Sequence, residues 1–203
     1  MNFFNTDNCF YYYDGIKKDL LLLGSSDAIF INILNNFKSL KTISLILTHL
    51  NSDAGNLPSL ISYCNAMYGL KPEIVFPSED LINVLKENGT LEKQYLHSKT
   101  HNLIESEVRT FNKSYNYILK IDGQKVYYCI DSVLLTNKVL YKFICRDIKK
   151  IYYNVTRFEN IPVETVSYLS NHIPRNLRKY VYARGFSSLR TKILAIVSGF
   201  SIA

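Results

Sequence analysis

The chain has 203 residues, of which 47% are hydrophobic, and it carries a formal net charge of +7. This apolar content is sufficient for one buried core and no Gly/Ser/Pro-rich linker divides the sequence, so we expect a single domain over residues 1–203. No apolar run approaches the roughly 20 residues that a membrane-spanning helix needs, and the N-terminus has no signal-peptide pattern, which excludes those two classes.

The excess of 24 Lys and Arg over 17 Asp and Glu suits an anionic partner, such as a nucleotide, RNA or an acidic protein. The alternative is a generally basic surface without a patch, and no basic-aromatic motif of an RNA-recognition module is present. The four cysteines are widely spaced and form no CxxC pair, and three of them sit in apolar surroundings, which favours buried thiols in a reducing compartment. We therefore expect a cytoplasmic protein with no membrane partner.

Short apolar runs alternate with longer amphipathic segments along the chain, which is typical of an α/β fold. Helices are predicted over 25–37, 58–68 and 163–171, with another beginning at 77, and residues 193–203 predict a packed helix end and a final strand. The two halves fit an αββα sandwich, while periodicity alone equally allows a doubly wound sheet. Strands are predicted over 9–13, 20–23, 43–47, 73–76, 115–121, 125–130, 150–155 and 180–183. Hairpin-type turns are predicted at Asp14-Gly15 and at Asp122-Gly123.

Residues 43–56 are the most informative segment, because an apolar strand leads into a histidine and then into a short loop that opens a helix. The segment resembles the signature of the metallo-β-lactamase superfamily, Thr-His-x-His-x-Asp-His-x-Gly. His49 and Asp53 match it, whereas Asn51 stands in place of the second histidine and Ala54 in place of the third. The following glycine comes one residue early, so the third histidine is either replaced or deleted.

The resemblance extends over most of the chain and is closest to the phosphodiesterase branch, which includes tRNA 3′-processing nucleases. Residues 122–132, Asp-Gly-Gln-Lys-Val-Tyr-Tyr-Cys-Ile-Asp-Ser, are similar to the family's strand that ends in the bridging aspartate. Residues 150–154 and 174–186 are similar to two later family segments, the second of which ends in the last metal histidine. The resemblance implies an αββα sandwich of the metallo-β-lactamase type.

Active sites of this family hold two divalent ions, which generate hydroxide and clamp the phosphate of the substrate. By resemblance, His49 would bind the first ion, Asp53 the second, and Asp131 would bridge the two. If the protein is active, zinc or manganese is the implied metal.

Several positions of the implied metal site carry side chains that do not bind metal. Asn51 and Ala54 remove one ligand from each ion, Asn112 stands near the position of a further histidine, and Arg184 replaces the last one. Pro162 and Asn154 replace two additional active-site residues of the family. We therefore predict a vestigial metal-site cleft and no catalytic residues.

Arg184 is the most informative of these replacements, because a guanidinium has no lone pair for a metal and stays protonated. Beside Asp53 and Asp131 it would neutralise carboxylates that have lost their metal ions. The alternative is that Arg184 points into solvent and that the two aspartates are hydrated in an open cleft.

The resulting hypothesis is a catalytically degenerate protein that binds a nucleotide, RNA or a protein ligand. One alternative is a phosphodiesterase or nuclease with a single metal at His49, Asp53 and Asp131, with His97 or His101 recruited from one helix face. Two solvated histidines are the simpler explanation of that last pair, because no glutamate stands at the position that an HExxH motif requires. Another alternative is an inactive subunit that forms a homodimer or a heterodimer with an active homologue.

Overall fold

The computed structural model describes residues 3–6, 9–24, 27–50, 57–109, 114–129, 135–155, 165–186 and 188–203. These residues form two six-stranded sheets with helices, and the chain divides into two compact units. Unit 1 comprises Met1–Asn102 and Phe111–Tyr115, and unit 2 comprises Leu103–Thr110 and Asn116–Ala203.

The sheet of unit 1 has the strand order β1-β2-β3-β4-β5-β6. Its first three strands pair antiparallel and the remaining neighbours pair parallel. Its strands are β1 (Phe3–Thr6), β2 (Cys9–Asp14), β3 (Asp19–Leu23), β4 (Thr42–Ile46), β5 (Glu73–Val75) and β6 (Leu96–Ser98). Its described helices are α1 (Asp27–Leu34), α2 (Leu57–Tyr68) and α3 (Asp80–Glu87).

The centre of unit 1 is apolar because β3 carries four consecutive leucines, all of them buried. Such a continuous apolar run is expected of a strand that is covered on both faces. The preceding turn is held by Asp14, whose carboxylate accepts the backbone N–H groups of Ile16 and Lys17 at 3.0 and 3.1 Å. This confirms the turn predicted between the second and third strands.

The sheet of unit 2 has the strand order β12-β11-β10-β9-β8-β7. The pairs β9–β10, β10–β11 and β11–β12 are parallel. Its strands are β7 (Ile104–Arg109), β8 (Tyr115–Ile121), β9 (Gln124–Cys129), β10 (Ile148–Asn154), β11 (Val181–Arg184) and β12 (Ser201–Ile202). Its described helices are α4 (Asn137–Ile144), α5 (Thr165–His172) and α6 (Leu189–Val197).

Two backbone features set the register of this sheet. Asp122 and Gly123 have φ values of 47° and 75°, the left-handed pair that a tight hairpin turn requires, and they join β8 to β9 as predicted. The pairing of β10 with β9 shifts between Ile148 and Lys150, which is a β-bulge. One face of the sheet and helices α4, α5 and α6 share an apolar core.

Several sequence predictions need correction at their boundaries. Helix α1 ends at Leu34 and not at residue 37, and α3 begins at Asp80 and not at 77. The sequence patterns missed β1, β6, β7 and α4, although the Thr136 hydroxyl accepts the N–H of Val139 as an ordinary N-cap of α4. In the part of the chain that the structure describes, no helix is long and apolar enough to cross a membrane.

Candidate functional site

The structure describes two of the seven residues predicted to line the vestigial metal-site cleft, namely His49 and Arg184. The predicted pairing of Arg184 with aspartate, and the replacement of metal ligands in the loop after His49, therefore stay predictions. Outside the described residues lie Asn51, Asp53, Ala54, Asn112 and Asp131, together with Pro162.

In unit 1, the end of β4 positions His49 through a short segment with fixed backbone. The N–H of Leu47 donates to Val75 O at 3.1 Å, and the N–H of Tyr115 donates to Thr48 O at 2.8 Å. The buried Thr48 hydroxyl lies 2.9 Å from His49 Nδ1. When Nδ1 carries the proton and donates to Thr48, His49 Nε2 is the ring nitrogen that bears a lone pair.

In unit 2, Arg184 is the last residue of β11 and pairs with Asn154 of β10. The N–H of Val155 donates to Arg184 O at 2.8 Å, so the backbone at this strand end is fixed. The Arg184 side chain is only 3% exposed. The alternative in which this guanidinium points into solvent is therefore wrong.

The Arg184 side chain lies against Tyr128, a fully buried residue of β9. Arg184 Nη1 donates to Tyr128 Oη at 3.3 Å, and the guanidinium carbon lies 4.8 Å from the centre of the ring. The tyrosine thus contributes a neutral acceptor and an aromatic face to the same cation.

More tyrosines share this face of the sheet with Arg184 and Tyr128. Tyr152 pairs with Tyr128 on one side and with Tyr182 on the other, and the rings of Tyr152 and Tyr182 stack with centroids 4.9 Å apart. Burial raises the pKa of Tyr152 to about 12, so its phenol is neutral at physiological pH. The described neighbours of the Arg184 cation on this face therefore include neutral aromatic groups.

Two described positions in unit 2 do not suit a two-metal centre. At the ends of β10 and β11 stand the amide of Asn154 and the guanidinium of Arg184, and neither offers the lone pair of an imidazole or carboxylate. A fixed cation would also repel a divalent ion. Among the residues in described positions, no group of three or more His, Cys, Asp or Glu side chains could hold a metal.

His97 and His101 do not share a helix face, so the prediction based on their spacing of four residues is wrong. His97 lies in β6, where its Nε2 is 3.1 Å from Phe76 O. The His101 side chain is 15% exposed and its Nε2 lies 3.9 Å from the Glu73 carboxylate. Burial lowers the pKa of His101, and the nearby carboxylates of Glu73 and Asp19 oppose that effect. Neither side chain is fully solvated, so the interpretation of this pair as two solvated histidines is also wrong.

Glu73 organises a polar cluster in unit 1 that the sequence did not reveal. Its carboxylate accepts hydrogen bonds from Ser44 at 3.0 Å and from Ser98 at 2.6 Å, across three neighbouring strands. The interactions of His101 with this carboxylate indicate a structural role for the histidine. The cluster can be recognised only from the pairing of β5 with β4 and β6, and this pairing joins residues that are far apart in the sequence.

Solved structures with a similar fold cover nearly the whole chain. A diphosphatase from the PhnP family has 14% sequence identity and a TM-score of 0.60, over 96% of this chain and 80% of that one. The metallo-β-lactamase fold protein YhfI from Bacillus subtilis has 11% identity and a TM-score of 0.63, over 97% and 86%. Zn(2+)-bound PqqB from Methylobacterium extorquens has 7% identity and a TM-score of 0.59, over 96% and 84%.

This chain has the metallo-β-lactamase fold. The predicted α/β class and the resemblance to the metallo-β-lactamase type of fold are thereby confirmed. At these identities the likeness shows the fold alone, and a shared fold does not transfer an activity. No family profile matches this metallo-β-lactamase-fold chain, and no curated protein does either.

Proposed function

We propose that this metallo-β-lactamase-fold protein is a non-hydrolytic binding protein for a phosphate-bearing ligand of the nucleotide class. The observation that supports the proposal is the burial of Arg184 at the end of β11, where the family resemblance implies a metal-binding histidine. A built-in cation at that position attracts phosphate and cannot hold a metal ion.

The electrostatics of Arg184 favour an anionic partner. A guanidinium keeps its charge throughout the physiological pH range, and burying a charge is costly without a counter-charge. Tyr128 orients the group but supplies no negative charge. The fork of N–H donors matches a phosphate or a carboxylate in bidentate geometry. The predicted neighbour Asp131 is one candidate counter-charge, and the phosphate of a ligand is another.

The same substitution explains why the bound phosphate would not be hydrolysed. Hydrolysis in such folds depends on metal ions that lower the pKa of a bound water and stabilise the leaving oxygen. Arginine shares the positive charge but generates no hydroxide at neutral pH. Binding without turnover is the expected outcome.

Calorimetric titration with AMP, ADP and inorganic phosphate tests binding, and bis-nitrophenyl phosphate with added zinc or manganese tests turnover. We expect nucleotide binding that weakens by about tenfold or more in Arg184→Ala, since a charge-assisted hydrogen bond contributes roughly 1.5–3 kcal/mol. Arg184→Lys keeps the charge and should retain part of the affinity. Arg175→Ala is the matched control, because Arg175 is an exposed arginine of the same unit.

Two results would overturn the proposal. One is metal-dependent turnover that disappears in Asp131→Ala, which would establish a one-metal phosphodiesterase. The other is equal nucleotide affinity in wild type and in a folded Arg184→Ala variant. Melting temperatures of all variants separate a loss of ligand contact from a loss of fold.

A further inference from the structure

Helix α6 presents an exposed apolar stripe. The stripe consists of Leu189, Ile193, Ile196 and Val197, which are 73%, 51%, 53% and 75% exposed. Their spacing of four, three and one residues places them on one side of a helix with 3.6 residues per turn. On the opposite side, Ala195 is fully buried in the core of unit 2. The stripe therefore points directly away from the sheet that the helix covers.

A cation borders the stripe on each side. At about 100° of rotation per residue, Arg190 lies next to Val197 at one border and Lys192 lies next to Ile196 at the other. Both cations are exposed. Lysine and arginine stems can lie along apolar surface while their charged ends reach polar groups beyond it.

The charged side chains in the sequence segment around α6 are all basic. Residues 165–203 contain six Lys or Arg residues and no Asp or Glu, although the whole chain has 17 acidic residues. Arg178 donates to Ser198 O at 3.0 Å, just beyond the end of α6, and to Ile173 O at 3.0 Å. These bonds hold the segment that carries the exposed Arg175 and Lys179 close to the end of the helix.

We infer that α6 is a peripheral contact site for an anionic lipid bilayer, with the helix lying in the plane of the interface. The apolar stripe would enter the boundary between headgroups and acyl chains, while Arg190 and Lys192 would reach the lipid phosphates. This differs from the expectation of no membrane partner, which rested on the absence of a sequence long enough to span a bilayer. A peripheral contact requires no span.

Charge and size argue against other occupants of the stripe. A second copy of the chain would bring Arg190 and Lys192 towards the same cations of its partner, with no acidic residue in 165–203 to compensate. The stripe consists of four side chains on a nine-residue helix, whereas a stable protein interface uses about 20–30 residues on each side. Aliphatic side chains also offer no ring on which the bases of RNA could stack.

Co-sedimentation of the purified protein with phosphatidylcholine vesicles, with and without phosphatidylserine, tests the inference. We expect binding only when phosphatidylserine is present, and binding should weaken as salt is raised. Leu189→Asn with Val197→Asn should lower the partition coefficient by about tenfold or more, because two aliphatic side chains leave the lipid. Arg190→Gln with Lys192→Gln should lower it by roughly fivefold for each cation removed.

Two control variants match these changes elsewhere on the surface. Met67→Asn removes an exposed apolar side chain from α2, and Lys71→Gln with Lys93→Gln changes the net charge by the same amount. Both should bind like wild type, and all variants should keep the wild-type melting temperature. Absence of binding to phosphatidylserine vesicles would overturn the inference. Equal loss in the controls, or a dimer that dissociates in Leu189→Asn with Val197→Asn, would do the same.

Discussion

Arg184 and Tyr128 form a buried pair in which the phenol accepts a hydrogen bond from Nη1 at 3.3 Å and the ring lies 4.8 Å from the guanidinium carbon. The two residues belong to β11 and β9, with β10 between them. The pair is a tertiary contact between separate strands. Its contribution to the free energy of unfolding can therefore be measured with substitutions at the two positions.

Tyr128→Phe should destabilise the protein by about 1 kcal/mol, because it removes one acceptor and keeps the ring. Tyr128→Leu should cost more, because it also removes the aromatic face from the cation. Urea unfolding of both variants, each alone and combined with Arg184→Lys, gives the coupling energy. If Tyr128→Phe leaves the free energy of unfolding unchanged and the effects of the combined changes are additive, the pair does not stabilise the protein.

Arg184→Ala should destabilise the protein by roughly 3–5 kcal/mol if the predicted partners Asp53 and Asp131 are left as buried, unpaired charges. Adding Asp53→Asn and Asp131→Asn to Arg184→Ala should recover part of that loss, because the uncompensated charges are then gone. Urea unfolding measures both effects, with Arg175→Ala as the exposed control. An unchanged free energy of unfolding in Arg184→Ala would contradict the predicted ion pair.

The purified protein should hold less than one zinc, manganese or iron ion per chain in elemental analysis. The physical reason is the guanidinium of Arg184 at a position where a ligand is required, together with the amide and methyl side chains of Asn51 and Ala54. His49→Ala is the comparison variant. A stoichiometric ion in wild type that is lost in His49→Ala would establish a metal site.

His101 should make the stability depend on pH below neutrality. Burial lowers the pKa of His101 from its usual 6.5, so the unfolded chain binds a proton more readily than the folded chain does. Its stabilising contribution is therefore complete above pH 6.5 and decreases as the pH falls below that value towards the lowered pKa.

Urea midpoints measured from neutral to mildly acidic pH test this prediction. His101→Asn should flatten the pH dependence in that window, and His172→Asn, at an exposed position, is the comparison variant. A wild-type profile that is already flat, or one equally affected by both variants, would argue against His101 as the titrating group.

Local patterns predicted the elements that depend on local chemistry. Asp122-Gly123 specifies the turn between β8 and β9 because both positions need positive φ, and the four leucines of β3 require burial on both faces. The residues that carry the family resemblance also predicted the correct fold.

The remaining features depend on contacts between distant segments. His97 belongs to a strand because β6 pairs with β5, and no helical or strand periodicity can be recognised over three residues. The apolar residues of α6 were expected to be packed, since periodicity indicates an amphipathic helix but does not identify which side the protein covers. The contact of Arg184 with Tyr128 likewise joins residues far apart in sequence.

The bulge between Ile148 and Lys150 affects how this chain can be aligned with others. One extra residue resets the alternation of β10, so that Ile148 and Ile151 both enter the helix-covered core although they are an odd number of positions apart. Asn154 consequently falls on the face of Arg184. An alignment that omits the bulge would match every later residue of the strand to the wrong face. The correspondence between Asn154 and the family's aspartate thus depends on where a single gap is placed.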